Sequence, residues 1–184
     1  MKNKIYIHYT LVLAIWLVGS ICLLTLSMGC APTPKVAGEF TQEEFDDMAQ
    51  LMADGKAADI GVKYLSKHLS EFYILDAREL DEYEVSHLPG AKWIGFSDFH
   101  PSRIEDIPKD ATIITYCSVG FRSEQIAEKL LKSGYKNTYN LKGSIFQWSN
   151  EKLPLVDSDG IATDSIHGFN RKWSKWLKHG KVTY

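Results

Sequence analysis

The sequence contains few cysteines and no paired-cysteine motif. Three cysteines stand among the 184 residues, and no two of them are separated by only two positions. The C-x-x-C arrangement that supports dithiol exchange within one chain is therefore missing. Histidine, cysteine and aspartate do not occur in clusters with the spacing of metal ligands, so we expect no metal and no cofactor.

The chain also lacks a strong excess of charge of either sign. It has 21 basic and 23 acidic residues, which leaves a formal net charge of -2. A large basic patch for nucleic acid and an acidic tract typical of disorder are both missing, and so are internal repeats. The length and the hydrophobic content of 45% favour one folded domain with a tail.

A long stretch without charge lies near the N-terminus. Lys2 and Lys4 precede residues 10–26, which contain no charged side chain. A positive start, an apolar centre and an end rich in small residues are typical of an export signal. A retained membrane anchor is the alternative, because the stretch is close to the length that spans a bilayer.

The end of this stretch, L-S-M-G-C, resembles the lipobox of bacterial lipoproteins, although Ser27 stands where leucine is usual. The resemblance implies a signal peptide over residues 1–29, lipidation of Cys30 and a tether over residues 30–39. The protein would then be exported and anchored in a membrane, facing the periplasm or the cell exterior. A plain secretory signal with an incidental cysteine is the alternative.

From residue 40 onward, patterns of helices and strands alternate. Thr41 followed by Glu44 predicts a capped helix, and residues 61–71 favour a second helix. One buried strand is predicted to end at Asp76, and the β-branched run over residues 112–116 predicts another. The alternation favours an α/β domain with a parallel sheet and helices on its faces.

The character of the sequence changes after residue 156. Phe169, Trp173 and Trp176 recur at helical spacing among basic residues without an acidic neighbour. We predict an aromatic and basic extension over residues 157–184 whose helix docks its aromatic face on the domain. Contact between this basic helix and a membrane surface is the alternative.

The loop C-S-V-G-F-R-S at residues 117–123 carries the predicted chemistry. Cys117 ends a strand, and ligands of parallel α/β sheets bind beyond the carboxyl ends of the strands. We expect the next helix to begin near Ser123, so that its unpaired N–H groups and dipole stabilise a thiolate and an anionic substrate. Gly120 permits the backbone angles that such a loop needs. The predicted anion-binding residues are Ser118, Val119, Gly120, Phe121 and Ser123.

The spacing between Cys117 and Arg122 disfavours one related class of enzyme. Cysteine-dependent phosphatases have five residues between these two side chains, whereas this chain has four. The shorter loop makes a smaller cradle, which suits a sulfur atom better than a phosphate group. A cysteine phosphatase or an arsenate reductase is therefore disfavoured.

Several motifs together resemble the rhodanese (sulfurtransferase) family. They are L-D-A-R-E with E-Y, H-L-P-G-A, T-I-I-T-Y leading into C-S-V-G-F-R-S, E-Q-I-A-E-K-L, and N-L-K-G-S with Trp148. They occur in the family's order and cover residues 40–156. The resemblance implies a single rhodanese-like domain with a three-layer α/β fold, in which helices flank a central, mostly parallel sheet.

The resemblance implies a sulfurtransferase in which Cys117 carries the transferred sulfur as a persulfide. Thiosulfate or polysulfide would be the donor, and a thiol, cyanide or another protein would be the acceptor. Arg122 would bind the anionic part of the donor or hold the shape of the loop. Asp76 and Arg78 would support the site, with Arg78 pairing to an acid such as Glu82. A rhodanese-like binding or regulatory module is the alternative, although such a module does not need the intact loop.

Overall fold

The computed structural model describes residues 40–53 and 55–184. The predicted signal peptide, the tether and the lipidation site at Cys30 lie outside the described residues. Residues 157–184 belong to the same compact unit as the preceding domain. Among the helices of the described part, none is long and apolar enough to cross a bilayer.

The described chain contains five α-helices, nine strands and three short 3-10 helices. The α-helices are α1 (Gln42–Met52), α2 (Val62–Leu65), α3 (Leu80–Val85), α4 (Phe121–Lys132) and α5 (Ser144–Asn150). The strands are β1 (Ala58–Ile60), β2 (Tyr73–Asp76), β3 (Lys92–Trp93), β4 (Thr112–Tyr116), β5 (Asn137–Leu141), β6 (Leu155–Val156), β7 (Ala162–Thr163), β8 (Ser165–His167) and β9 (Lys181–Thr183). The 3-10 helices are Leu69–Glu71, Pro101–Ile104 and Ser174–Trp176.

The central sheet has the strand order β1-β5-β4-β2-β3, and every pair of neighbours is parallel. This confirms the predicted α/β class with its parallel sheet. The two strands whose ends carry the predicted site residues lie side by side, because Asp76 of β2 is paired with Tyr116 of β4. Cys117 follows Tyr116 directly, so both ends meet at the carboxyl edge of the sheet.

Two apolar clusters cover the two faces of the sheet and make the fold three-layered. Ile114 and Tyr116 of β4 point into one cluster, which includes Phe45 of α1 and Phe146 of α5. Ile113 points into the other cluster, to which α4 contributes Ile126 and Leu130. The alternation along β4 follows from the period of two in a strand. It places α4, the helix after the cysteine loop, against the sheet that carries Cys117.

The N-terminal helix confirms the capping prediction, whereas the next segment differs from it. Thr41 Oγ1 accepts the Glu44 N–H, and the Glu44 carboxylate accepts the Thr41 N–H, which completes a capping box. Residues 61–71 do not form one helix but a single turn, α2, followed by a 3-10 helix. The sequence did not reveal β1, because this short edge strand has only one bulky apolar residue, Ile60.

The predicted C-terminal helix is wrong, but its predicted docking is confirmed. The extension forms β8 and β9, which pair in parallel around a 3-10 turn. Phe169 has φ +61, outside the helical region, and the Asn170 side chain accepts the Trp173 N–H and so favours a turn. The ring of Trp176 contacts Phe40 and Phe45 edge-on, with centroids 5.1 and 6.1 Å away. The regular spacing of the aromatic residues therefore reflects their packing against the domain and not a helix.

Candidate active site

Cys117 lies in the turn between the central strand β4 and helix α4. Its side chain is buried, with 1% of its surface exposed. Gly120 caps α4 with φ +123, an angle that side chains rarely allow, and its carbonyl accepts the Glu124 N–H at 3.0 Å. The helix therefore begins at Phe121, two residues before the predicted start, because the turn at Gly120 already ends the loop.

Backbone donors converge on the sulfur atom of Cys117. The Gly120 N–H donates a hydrogen bond to Sγ at 3.2 Å. Burial alone raises the pKa of the Cys117 thiol, but the positive charge of Arg122 and hydrogen bonds from Ser123 and Gly120 outweigh it. The net effect lowers the pKa below the usual value for a thiol. The site thus favours the thiolate, which is the nucleophilic form.

The first residues of helix α5 form hydrogen bonds to the backbone of the cysteine loop. The Cys117 N–H donates to Ser144 Oγ at 3.1 Å, and the Cys117 carbonyl accepts the Ile145 N–H at 3.2 Å. The Ser118 carbonyl accepts the Phe146 N–H at 3.1 Å. Ser144, at the start of α5, was not among the predicted site residues, although it lies in the N-L-K-G-S motif. Its contact crosses 27 positions, a separation that no local pattern reveals.

The Arg122 guanidinium is paired with the carboxylate of Glu82. Its Nη1 and Nη2 donate to the two carboxylate oxygens of Glu82 at 2.6 and 2.8 Å, and Nη2 also donates to Ser118 Oγ at 2.9 Å. Burial raises the pKa of Glu82, but the bonds from Arg122 reverse this and lower it. Of the two predicted roles of Arg122, this geometry favours holding the shape of the loop.

Arg78 pairs with an acid as predicted, but the acid is Asp76 and not the suggested Glu82. Arg78 Nη2 lies 2.7 Å from Asp76 Oδ2, and neither side chain has any exposed surface. Arg78 Nη2 also donates to the Ser86 carbonyl at 2.6 Å. The pair therefore ties the end of β2 to the end of α3, the helix that supplies Glu82. This favours the predicted supporting role of Asp76 and Arg78.

A cavity of about 450 Å³ opens beside Cys117. Its lining is almost entirely apolar. The lining residues are Met52, Phe96, Cys117, Ser118, Val119, Phe121, Arg122, Phe169 and Trp173. The loop residues among them were predicted, whereas Met52, Phe96, Phe169 and Trp173 were not assigned to the site. Phe169 and Trp173 were predicted to dock on the domain, and no local sequence pattern marks an aromatic residue that faces a cavity.

We expect Arg122→Met to slow the reaction of Cys117 with the uncharged reagent iodoacetamide at pH 7. Loss of the guanidinium raises the pKa of Cys117, and the thiolate fraction falls about tenfold for each unit of that rise. The rate-against-pH profile should therefore shift to higher pH. Arg122→Lys, which retains a positive charge, should lie between the wild type and the methionine variant.

The double variant Glu82→Gln with Arg122→Met controls for the buried carboxylate that the single change leaves unpaired. It should show a smaller upward shift of the profile than Arg122→Met, because the negative charge of Glu82 is removed as well, and a more stable fold. Profiles with one common midpoint in all the variants would contradict a role for Arg122 in lowering the pKa of Cys117.

Fold and site together define an α/β domain with a cysteine in the loop between a central parallel strand and a helix. Residues 61–151 match the model of the family described as "Rhodanese-like domain". This chain thus carries a rhodanese-like domain, which confirms the family resemblance found in its motifs.

Curated relatives include proteins named as sulfurtransferases. A "Sulfurtransferase" from Allochromatium vinosum is 40% identical over 60 residues, which cover 33% of this chain and 56% of that protein. A "Probable adenylyltransferase/sulfurtransferase MoeZ" from Mycobacterium tuberculosis is 28% identical over 66% of this chain and 33% of its own length. The chain therefore spans less than two thirds of the length of these relatives.

Solved structures confirm the fold. The BH2092 protein from Bacillus halodurans aligns with a TM-score of 0.51 at 20% identity, over 64% of this chain and 87% of that chain. A thiosulfate sulfurtransferase from Pseudomonas aeruginosa aligns with a TM-score of 0.50 at 21% identity, over 64% of this chain and 22% of that one.

Proposed function

We propose that this protein is a sulfurtransferase that moves a sulfane sulfur from a donor to a nucleophilic acceptor through a persulfide on Cys117. The observation that carries the proposal is a buried cysteine with a lowered pKa and a hydrogen bond from the Gly120 N–H, in a loop beside a cavity. The similarity to proteins named as sulfurtransferases supports the same reaction class.

In the first step, the Cys117 thiolate attacks the outer sulfur of the donor and the S–S bond of the donor breaks. With thiosulfate, the electron pair leaves with sulfite, and a persulfide anion remains on Cys117. In the second step, an acceptor such as cyanide or a thiolate attacks the outer sulfur of the persulfide, and the Cys117 thiolate is restored. Dividing one transfer into two displacements is covalent catalysis.

The loop stabilises the negative charge in both steps. The Gly120 N–H already points at Sγ, and the added sulfur would project from the same turn at the start of α4. Preorganised donors of this kind need no rearrangement when charge moves onto the outer sulfur. Because Nη1 and Nη2 of Arg122 already donate to the Glu82 carboxylate, Arg122 acts mainly through its charge and through the contacts that hold the turn.

The two-step scheme is tested by initial-rate kinetics. With cyanide as acceptor, we measure thiocyanate formation at several fixed concentrations of thiosulfate and, in a parallel series, of benzenethiosulfonate. Parallel lines in double-reciprocal plots with either donor are the expected result for a substituted-enzyme intermediate. Intersecting lines would contradict the persulfide scheme, and no turnover with any donor would favour a binding module.

We further propose that the chain is exported and anchored by lipid on Cys30, as the lipobox-like end of the N-terminal stretch indicates. In a bacterial host, Cys30→Ser should move the protein from the membrane fraction to the soluble fraction and remove the acyl mass. An unchanged membrane fraction would show that the uncharged stretch itself is retained as an anchor.

A further inference from the structure

The C-terminal extension supplies part of the wall beside Cys117. Phe169 and Trp173 line the cavity together with the loop residues Val119 and Phe121. Both aromatic residues lie beyond residues 61–151, the part of the chain that matches the family model. Phe169 and Trp173 thus add an aromatic wall to the rhodanese-like domain. This wall is part of the surface that a donor contacts beside Cys117.

The cavity offers little compensation for a doubly charged donor. Among the lining residues that the structure describes, Arg122 alone carries a positive charge, and its guanidinium is already paired with the Glu82 carboxylate at 2.6 Å. A dianion that leaves water for apolar walls loses hydration and needs opposite charge or hydrogen bonds in return. It also approaches the Cys117 thiolate with two negative charges instead of one.

Local contacts hold the aromatic wall in place. Phe169 has φ +61, which is unusual for a bulky residue, and its N–H donates to His167 Nδ1 at 3.1 Å. Its ring lies 5.1 Å from the Arg122 guanidinium, within the range of a cation–π contact. The Trp173 N–H donates to the Asn170 carbonyl at 3.0 Å. Strained backbone that is held by several contacts is common where a side chain has a function.

From this arrangement we propose that Phe169 and Trp173 select an organic sulfane-sulfur donor with an apolar body and at most one negative charge, in preference to thiosulfate. The proposal rests on the proposed sulfur transfer and names its donor class. The volume of about 450 Å³ exceeds that needed for an aromatic ring, since apolar cavities of about 150 Å³ hold benzene. The apolar body would contact the two aromatic rings while its outer sulfur meets Cys117.

Benzenethiosulfonate is a suitable probe of this donor class. The Cys117 thiolate forms a bond to the outer sulfur, the S–S bond of the probe breaks, and the electron pair leaves with benzenesulfinate. Two negative charges stand on each side of the equation, and no proton or external electron is needed. Methanethiosulfonate presents the same outer sulfur on a smaller apolar body. Thiosulfate presents it on a body that carries one more negative charge.

The experiment measures the second-order rate of sulfur loading onto Cys117 from each of the three donors. We expect the wild type to prefer benzenethiosulfonate over thiosulfate by about tenfold or more. The double variant Phe169→Ala with Trp173→Ala should lose about tenfold with benzenethiosulfonate and change less than about twofold with thiosulfate. The ratio between donors on one protein sample does not depend on the fraction that is folded.

Ile161→Ala is the matched control, because Ile161 is an exposed apolar residue of the same extension and is not a lining residue. It should leave the donor ratio unchanged. Equal loading from thiosulfate and benzenethiosulfonate in the wild type, or an equal loss with all donors in the double variant, would overturn the donor selection while leaving sulfur transfer intact. No loading from any donor would instead overturn the proposed function on which the selection rests.

Discussion

Replacement of Cys117 by serine is expected to lower sulfur transfer to cyanide by about a thousandfold or more, to the uncatalysed background. The hydroxyl of serine stays protonated under conditions in which the Cys117 thiol is ionised, and serine is a weak nucleophile without an adjacent base. The change is small in volume, and the Gly120 N–H that now bonds to Sγ can donate to the oxygen instead. The fold should therefore survive.

Steady-state thiocyanate formation and thermal unfolding, measured on the same preparations, check this prediction. Cys30→Ser removes another cysteine, which is not a predicted residue of the sulfur site, and should retain full turnover. If Cys117→Ser keeps substantial turnover while its unfolding temperature is unchanged, Cys117 is not the sulfur carrier.

The second large effect concerns stability rather than chemistry. Arg78→Met is expected to lower the free energy of unfolding by about 3–5 kcal/mol, because it leaves the buried Asp76 carboxylate without its partner. The change also removes the bond to the Ser86 carbonyl, which links the segment after β2 to the end of α3. Arg78 Nη1 is buried and has no hydrogen-bond partner within the described chain. Its removal therefore offsets a small part of the lost free energy of unfolding.

Urea denaturation with a common m-value measures this loss. The double variant Asp76→Asn with Arg78→Met removes both charges and should recover a large part of the lost stability, since no buried charge remains unpaired. Arg103→Met is the control for an ion pair whose carboxylate, Asp98, is largely exposed, and it should cost clearly less than Arg78→Met. A similar loss in Arg78→Met and Arg103→Met would contradict the account of the buried pair.

Local patterns were sufficient to place the cysteine loop. The apolar β-branched run before Cys117 predicts a buried strand, and the amphipathic run after Ser123 predicts a helix, so the loop between them was accessible to sequence reasoning. The exact start of α4 was not, because the turn at Gly120 depends on backbone geometry. The same reasoning placed Asp76 at the end of a buried strand, and the structure pairs that strand with β4, which leads into the cysteine loop.

Contacts between distant segments were the part that the sequence could not provide. Glu82 and Arg122 are separated by 40 positions, and an acidic run offers several candidates for one arginine. The extension shows a second limit, since Trp173 and Trp176 keep the spacing of a helix face while a short 3-10 turn carries them. Both residues are packed against the core, so apolar periodicity predicted their burial but not their secondary structure.

Whether Cys117 carries sulfur is decided by the mass of the intact protein after exposure to a donor. The wild type and Cys117→Ser are treated with benzenethiosulfonate or thiosulfate, freed of excess donor and measured intact, and the wild type is then treated with cyanide. Sulfur transfer through Cys117 predicts one added sulfur atom on the wild type, located in the peptide that contains Cys117, absent from the serine variant and removed by cyanide. An unmodified wild type, or equal addition to both proteins, would contradict it.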